Sequence, residues 1–283
     1  MRYAFLCAGL LLLAGCDWED FGSSTQYSTD FHYNYPLKSG GRISLENFNG
    51  SVQIAGWDQE NVDISGAKYG ATPEARDAVR IDVVPAPDSV AIRTIRPSER
   101  RNVGARYVVR VPRRTQLDRV TTSNGSLRVN DVAGPARVKT SNGSLKVFNL
   151  AGSFDGGTSN GSVELENIKG DCTIKTSNGR VRAQGVGGAF EATTSNGSVD
   201  AAVGELHPGG VRVSTSNGSI TVRLARSVNA RLMARTSNAP VSTDFELTSR
   251  GVVEKHRLEG TIGSGGPVVD LSTSNGSIHV LRQ

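Results

Sequence analysis

The tetrapeptide Thr-Ser-Asn-Gly, or one close variant of it, occurs eight times in this chain, and its first five copies are evenly spaced. The serines of these five copies lie 18 residues apart, from Ser123 to Ser195. Ser216 and Ser237 follow at 21-residue steps, and Ser274 follows after 37 residues, which is about two repeats. A fixed period of this length is typical of an array in which each unit stacks on the next. More than half of the chain is therefore expected to share a single repeated architecture.

The residues around each tetrapeptide alternate between apolar and polar. The second residue after Gly is aliphatic in every copy, and the residue two positions further on is apolar in most copies. The residue between these two is mostly charged or polar, as Arg128, Lys146 and Glu164 illustrate. This period of two indicates strands with one buried face, and it places the Thr before each Ser on the buried side. Each unit is predicted to contain two strands, an Asn-Gly corner between them and a second corner near Gly134 and its repeats.

The Asn-Gly pairs are predicted to form the first corner of each unit, because Asn and Gly tolerate a positive φ better than other residues. Stacked Asn side chains can also hydrogen-bond along the corner as a ladder. A corner that needs a positive φ should make Asn160→Ala more destabilising than Ser162→Ala. The predicted corner residues are Asn124, Gly125, Asn142, Gly143, Asn160, Gly161, Asn178, Gly179, Asn196, Gly197, Asn217, Gly218, Asn275 and Gly276.

Two architectures fit this pattern. A meander of hairpins would form a broad sheet with one apolar face, and the repeats contain no helical segment that could cover it. A β-solenoid, in which each unit is one coil about 4.8 Å from the next, closes its inward columns on one another. We therefore predict an all-β solenoid with coils of 18–21 residues and Asn-Gly corners. Ahead of the repeats, Thr72-Pro73-Glu74 is typical of a helix N-terminus, which predicts a short helix near 73–79.

The start of the chain has the features of a bacterial lipoprotein signal. Arg2 supplies a positive charge, and residues 6–13 form an apolar run that is too short to span a bilayer. The sequence Leu13-Ala14-Gly15-Cys16 resembles the site at which such signals are cleaved and the Cys is lipidated. We therefore expect lipidation at Cys16, membrane attachment through the lipid and a location in the bacterial cell envelope. Asp17 selects the inner membrane in some Gram-negative bacteria only, so the choice of membrane stays open.

The chain is accordingly divided into four predicted parts. Residues 1–15 are the signal peptide, and residues 16–35 are a polar tether. Residues 36–115 are an atypical β section that caps the solenoid, as terminal repeats commonly do. Residues 116–283 are the repeat solenoid. Because nothing follows the last strand at 278–281, that strand is predicted to be an exposed edge at which the protein could self-associate.

The net charge of +5 is concentrated in one stretch, residues 93–119. Such a stretch either attracts an anionic partner, such as a surface polysaccharide, or forms solvated strand faces. Nucleic acid is excluded as a partner because the predicted signal exports the chain and the stretch lacks interleaved aromatic residues for base stacking. Its arginines are Arg93, Arg96, Arg100, Arg101, Arg106, Arg110, Arg113, Arg114 and Arg119.

Several segments resemble a bacterial family of β-strand-repeat proteins described as "putative adhesins", which is similar to the head domains of some autotransporter adhesins. The resemblance covers nearly all of 38–282. It is carried by residues 42–52 with Gly56-Trp57-Asp58, by residues 109–112, by the Thr-Ser-Asn-Gly-Ser units and by residues 265–280. The resemblance implies a β-solenoid in an envelope protein, and it supplies no catalytic residues.

The sequence contains no constellation that we interpret as catalytic, cofactor-binding or metal-ligating. The polar column after the Asn-Gly corner has mixed charge without an acidic cluster, and the four His residues are far apart. The buried column holds Cys172, which we interpret as a small core residue. The sequence therefore predicts a non-enzymatic, lipid-anchored protein with an adhesin-like binding or structural role, whose partner is a surface polysaccharide or an envelope protein. The alternatives are a carbohydrate-active β-helix enzyme and a regulatory partner of a membrane system.

Overall fold

The computed structural model of the chain describes residues 27–98, 102–248 and 253–283. Its secondary structure is almost entirely β, and the one helix in these ranges, α1 (Pro73–Asp77), lies within the predicted helical segment. The Thr72 hydroxyl caps this helix by accepting a hydrogen bond from the Ala75 amide at 3.2 Å. The strands are β1 (Tyr27–Pro36), β2 (Arg42–Glu46), β3 (Val52–Trp57), β4 (Asn61–Gly70), β5 (Arg80–Ala86), β6 (Ser89–Ile95), β7 (Gly104–Pro112), β8 (Gln116–Asn124), β9 (Leu127–Asn130), β10 (Ala136–Asn142), β11 (Leu145–Leu150), β12 (Phe154–Asn160), β13 (Val163–Ile168), β14 (Cys172–Asn178), β15 (Val181–Val186), β16 (Phe190–Thr193), β17 (Val199–Val203), β18 (Val211–Ser214), β19 (Ile220–Leu224), β20 (Ala230–Thr236), β21 (Val241–Thr243), β22 (Leu247–Thr248), β23 (Val253–Glu254), β24 (Arg257–Ile262), β25 (Val268–Thr273) and β26 (Ile278–Arg282).

These strands form two long sheets. Sheet A has the order β1-β4-β7-β3-β9-β11-β13-β15-β17-β19-β26-β21, and sheet B has the order β22-β24-β20-β25-β18-β16-β14-β12-β10-β8-β2-β6-β5. In the regular repeats, successive strands of the chain alternate between the sheets, and each strand pairs in parallel with the equivalent strand one repeat away. Leu145 thus lies opposite Val163 in sheet A, and Ala136 lies opposite Phe154 in sheet B. One repeat is therefore one coil, which confirms the β-solenoid and rules out the meander.

The core lies between the two sheets and is built from the inward columns of every coil. Leu145, Val147 and Phe154 are at most 1% exposed, and the buried residues of all the coils form one continuous cluster. Large and small side chains complement one another within it. The Phe154 ring, for example, fills the space that a side chain at Gly156 would occupy. The stacking of these apolar columns stabilises the solenoid by burying apolar surface. Cys172 lies in one of the columns as a free thiol and forms no disulfide.

At the N-terminal end, the spatial order of the coils differs from their order in the chain. The first coil, β2–β3, lies between the second coil, β6–β7, and the third coil, β8–β9. Antiparallel strands then cover the outer coil, since β5 pairs with β6, β4 pairs with β7 and β1 pairs with β4. The section predicted to be a cap therefore contains two coils of the solenoid in addition to the strands that cover them.

The predicted tether is wrong over residues 27–35. These residues belong to β1, which pairs with β4 along its whole length. Phe31, Tyr33 and Tyr35 pack against the core, and the Phe31 ring lies 5.3 Å from the Tyr107 ring in an edge-on arrangement. The alternation of these aromatic residues indicates a strand even though the segment is otherwise polar. The rest of the predicted tether lies outside the described residues, as do the predicted signal peptide and Cys16.

At the C-terminal end the coils are also out of chain order, but here the last coil lies inside the coil that precedes it in the chain. The last coil of the chain, β25–β26, lies between β18–β19 and β20–β21. The antiparallel strand β24 covers β20, and the short strands β22 and β23 pair with β24. The predicted exposed edge at 278–281 is therefore wrong, because β26 has a neighbour on both sides. The 37-residue step from Ser237 to Ser274 contains β22, β23 and β24, which cover the outer coil, before the chain returns to form β25–β26.

The edges at this end are short. β21 has three residues, whereas β22 and β23 have two each. Short edge strands present few unpaired backbone groups to another chain, so they protect a parallel array against uncontrolled growth. Within the described ranges, the chain contains no helix with the length and apolar character needed to cross a membrane.

Candidate functional site

The Asn residues of the tetrapeptides form a continuous ladder along one edge of the solenoid. Each side-chain amide donates to the side-chain oxygen of the Asn in the neighbouring coil. The donor–acceptor pairs are Asn142–Asn124 (2.8 Å), Asn160–Asn142 (2.9 Å), Asn178–Asn160 (2.8 Å), Asn196–Asn178 (2.8 Å), Asn217–Asn196 (2.8 Å), Asn275–Asn217 (2.7 Å) and Asn238–Asn275 (2.6 Å). The ladder follows the spatial order of the coils, so Asn275 lies between Asn217 and Asn238.

The reason given above for Asn-Gly at this corner is wrong. None of the fourteen corner residues named above has a positive φ. The glycines are required by close stacking instead. A Cβ at Gly161 would overlap the carbonyl oxygen of Gly143, and a Cβ at Gly143 would overlap that of Gly125. The same overlap recurs at Gly179, Gly197, Gly218 and Gly276, each with the carbonyl of the coil before it. The first coil differs, because Gly50 of its Asn49-Gly50 corner has a φ of 116°, and Asn49 forms a bridge with Asn124.

The positive φ values occur at the second corner of the coils. Asp131, Asn149 and Asn167 have φ of 57°, 55° and 57°, and Gly185 follows with 65°. These four residues are also 18 residues apart, and the first three form a second ladder. Asn149 donates to Asp131 at 2.9 Å, and Asn167 donates to Asn149 at 3.1 Å. The 18-residue spacing of Asp131, Asn149, Asn167 and Gly185 is visible in the sequence, and the corner predicted near Gly134 and its repeats lies three residues later in each coil.

The Thr of each tetrapeptide is buried, and in six of the eight copies its hydroxyl donates to a carbonyl at the corner of the neighbouring coil. Thr140 donates to the carbonyl of Gly125 at 2.9 Å, and Thr158 donates to that of Gly143 at 3.0 Å. The hydroxyls of Thr176 and Thr194 are buried without a hydrogen-bond partner. The Thr, Asn and Gly of the tetrapeptide are thus explained by the fold, whereas the Ser of each copy is exposed and free for other roles.

We expect Thr158→Val to lower the free energy of unfolding by about 1 kcal/mol, because it removes one buried hydrogen bond. Thr176→Val should leave stability unchanged or raise it slightly, because it removes a buried hydroxyl that has no partner. Urea denaturation of the two variants beside the wild type measures the difference. Equal losses of stability at both positions would show that the shape of the Thr side chain, and not the hydrogen bond of its hydroxyl, explains its presence in the repeat.

The outer face of sheet A carries the charged column that follows the Asn-Gly corner. Its charges are mixed in sign, and several pair with neighbours on the same face. Lys146 lies 3.3 Å from Glu164, Asp200 forms an ion pair with Arg223, and the Arg128 guanidinium lies 5.6 Å from the centre of the Phe148 ring. This face is therefore largely neutralised by its own contacts.

The basic stretch at 93–119 does not form one patch. Its strands belong to different sheets: β6 and β8 lie in sheet B, whereas β7 lies in sheet A. Most of the described arginines have partners within the protein. Arg93 and Arg119 both pair with Glu46, at 3.3 and 3.5 Å, while Arg106 stacks on Tyr69 and Arg110 on Trp57.

Arg113 of this stretch lies at the end of the outer N-terminal coil and forms a bidentate pair with Asp58. The hydrogen bonds and charge of Arg113 hold the pKa of the Asp58 carboxyl below its ordinary value. Both side chains are at least half exposed, so the pair adds little to stability. The alternative of solvated, internally paired strand faces therefore describes the arginines of this stretch better than a single anion-binding patch does.

The outer face of sheet B carries a row of a different character, which we call the cationic row. In eight successive coils it contains no acidic side chain. In spatial order the row consists of Thr121, Lys139, Gly157, Lys175, Thr193, Ser214, Ser272 and Arg235. The exposed Ser of each tetrapeptide lies two residues further along the same strands, so a column of hydroxyls runs beside the cationic row.

The remaining reactive side chains are scattered. Cys172 is 1% exposed, and burial raises the pKa of its thiol to about 12, so the reactive thiolate is scarce at neutral pH. His279 lies on the outer face of sheet A, where it contacts the hydroxyls of Ser242 and Ser277 at 2.8 Å. In the part of the chain that the structure describes, no group of three or more His, Cys, Asp and Glu side chains is placed to hold a metal ion.

Comparison with known proteins identifies one family. The sequence profile described as Toastrack DUF4097 matches residues 94–281. No curated protein matches the chain significantly. Similar solved structures include a "putative adhesin" from Bacteroides fragilis, with 12% identity and a TM-score of 0.47 over 89% of this chain and 97% of that one. Others are a "putative lipid binding protein" from Parabacteroides distasonis (11%, 0.47, 89% and 96%) and a "putative adhesin" from Parabacteroides merdae (13%, 0.42, 90% and 96%).

Proposed function

The chain belongs to the Toastrack DUF4097 family, and on that premise we propose that it is a non-enzymatic binding or scaffolding protein of the bacterial cell envelope. The observation that carries the proposal is the repeated outer surface of the solenoid. Each coil adds one position to the same outward columns, so the exposed Ser of the tetrapeptide recurs from coil to coil at a spacing of about 4.8 Å. Such a surface suits an extended partner that makes many similar weak contacts, and avidity then supplies the affinity.

We propose further that the protein is held at the membrane by a lipid on Cys16. Ten residues separate Cys16 from Tyr27, the first residue of β1. An extended chain of that length reaches at most about 40 Å. The N-terminal end of the solenoid would then lie within that distance of the bilayer, and the outer faces of both sheets would be presented to the surrounding envelope.

Lipid attachment predicts a clear result on fractionation. The wild-type protein, expressed in a bacterium with lipoprotein processing, should sediment with membranes and enter the detergent phase. Cys16→Ser should release most of it into the soluble fraction, because the anchor is lost while the described fold is unchanged. Cys172→Ser serves as the matched control and should remain with the membranes. Identical fractionation of Cys16→Ser and wild type would contradict the anchor.

The binding role is tested separately. The soluble Cys16→Ser chain should co-sediment with isolated envelopes. Added folded chain should compete for this binding more strongly than the same chain that has been unfolded in urea and then diluted. Absence of saturable binding would contradict the binding role and leave a purely structural one.

A further inference from the structure

We propose that the cationic row on the outer face of sheet B is the attachment site of this protein, and that its ligand is a linear acidic polysaccharide. The inference rests on the proposed binding function and assigns to it a site and a class of ligand. The centre of the site is formed by three adjacent coils, in which Lys139, Gly157 and Lys175 lie opposite one another in register.

The charges of the two lysines are available to a partner. Other cations on this face are neutralised by neighbours, as in the pairs Arg137–Asp155 at 3.9 Å and Arg212–Asp270 at 4.0 Å. Lys139 and Lys175 are exposed, and neither forms an ion pair with any residue in the described ranges. A solvated pair of like charges two coils apart gains free energy when an anion is placed between them.

Gly157, which is itself buried, places no side chain between the two exposed lysines. The strand passes so close to its neighbour that a Cβ at this position would overlap the carbonyl oxygen of Lys175, and the adjoining Gly156 is covered by the Phe154 ring. Backbone packing thus requires glycine here, and we call the resulting gap between the Lys139 and Lys175 side chains the notch. Its walls are the two Lys side chains, whose Cα atoms are about 10 Å apart across two coil steps. The flexible ammonium groups can close on a carboxylate from both sides.

The surroundings of the notch favour a linear polymer over an isolated anion. Ser141, Ser159 and Ser177 are all exposed and lie beside it on the same three strands. Their hydroxyls offer a donor and an acceptor every coil, which suits the hydroxyl groups of a sugar chain. The row continues without an acidic side chain to Arg235 at its far end. The adjoining outward column contains Asp155 and Glu191, of which Asp155 is paired with Arg137. A polymer that lies along the sheet axis therefore has both charge and hydrogen-bond complementarity.

The proposal is tested by binding of alginate, a linear polymer of uronic acids, to the soluble Cys16→Ser chain. We expect saturable binding that weakens as salt is added, because the contacts are exposed ion pairs. The double variant Lys139→Gln/Lys175→Gln should weaken binding by about tenfold or more, since each lysine at a charged surface contributes a factor of about five. The matched control is Lys146→Gln/Arg182→Gln on sheet A, which changes the net charge by the same amount and should alter binding less than about twofold.

Each other outcome overturns the proposal. Equal losses in the two double variants would show that net charge, and not the notch, attracts the polymer. Equal binding of neutral dextran would remove the role of charge. Binding to vesicles of phosphatidylglycerol but not to alginate would assign the lysines to lipid headgroups. Saturable binding to envelopes without binding to alginate would contradict this site and ligand but leave the proposed function intact, whereas failure of both would remove the two together.

Discussion

Removing residues 267–283 is expected to unfold the C-terminal third of the solenoid, although these are the last residues of the chain. They form the coil β25–β26, which lies between two other coils. Their deletion removes four side chains that are fully buried, Val269, Leu271, Ile278 and Val280. Each contributes about 2 kcal/mol through burial, so the loss is on the order of 8 kcal/mol. It also leaves β18 and β19 without neighbours on one side.

Hydrogen exchange of the truncated chain measures this result. Protection should be lost from β18 onward and kept in the coils nearer the N-terminus, because neighbouring coils in a solenoid support one another locally. A point variant supplies the control. Val280→Asp, three residues before Gln283, should lower the free energy of unfolding as much as Val147→Asp in the middle of the array. Unchanged protection after truncation would mean that β20–β21 can close directly onto β18–β19.

Gly161→Ala should be among the most damaging single substitutions in the repeats. The added methyl would overlap the carbonyl of Gly143, which is backbone and cannot rotate away. The coils on both sides hold that backbone in place, so we expect a loss of about 3 kcal/mol or more. Thermal unfolding measures it. Gly204→Ala is the matched control, because a Cβ there would meet nothing within 4 Å, and its melting temperature should be almost that of wild type.

Asn160→Ala should cost less than Gly161→Ala. It removes two bonds of the exposed ladder, each of which contributes about 1 kcal/mol or less. A larger loss for Asn160→Ala would contradict the stacking explanation for the corner glycines. The native Ala239 is consistent with that explanation, since it lies in the coil at the end of sheet A, where the corner can shift outward.

The coil could be predicted from the sequence because each of its requirements repeats every 18 residues. Alternation identified the inward columns, and the period fixed the parallel pairing of Leu145 with Val163. The backbone conformation at the corners could not be predicted from the repeat. Asn-Gly is frequent in turns of positive φ, yet here a different constraint, the closeness of stacked carbonyls, selects the same glycine.

The order of the coils at the two ends could not be predicted either. Every unit presents similar aliphatic strands to its neighbours, so β20–β21 and β25–β26 are both compatible with the edge of β18–β19. Long-range contacts of the strands that cover the outer coils decide between them, and those strands lack the repeat pattern. The candidate site shows the same limit. Lys139 and Lys175 are visible in the sequence, but their availability depends on which neighbouring charges are paired in space.

The first coil lies inside its successor and the last coil lies inside its predecessor, and this order has a consequence for synthesis. A chain leaves the ribosome from its N-terminus, and an ordinary repeat array can add each coil as it appears. Here the coils up to β19 can assemble in that way, whereas the space between β18–β19 and β20–β21 is filled only when β25–β26 emerges. The solenoid therefore closes at this end only after β20–β24 has been synthesised. Until then β18 and β19 are open sheet edges, whose unpaired backbone groups are available to other chains.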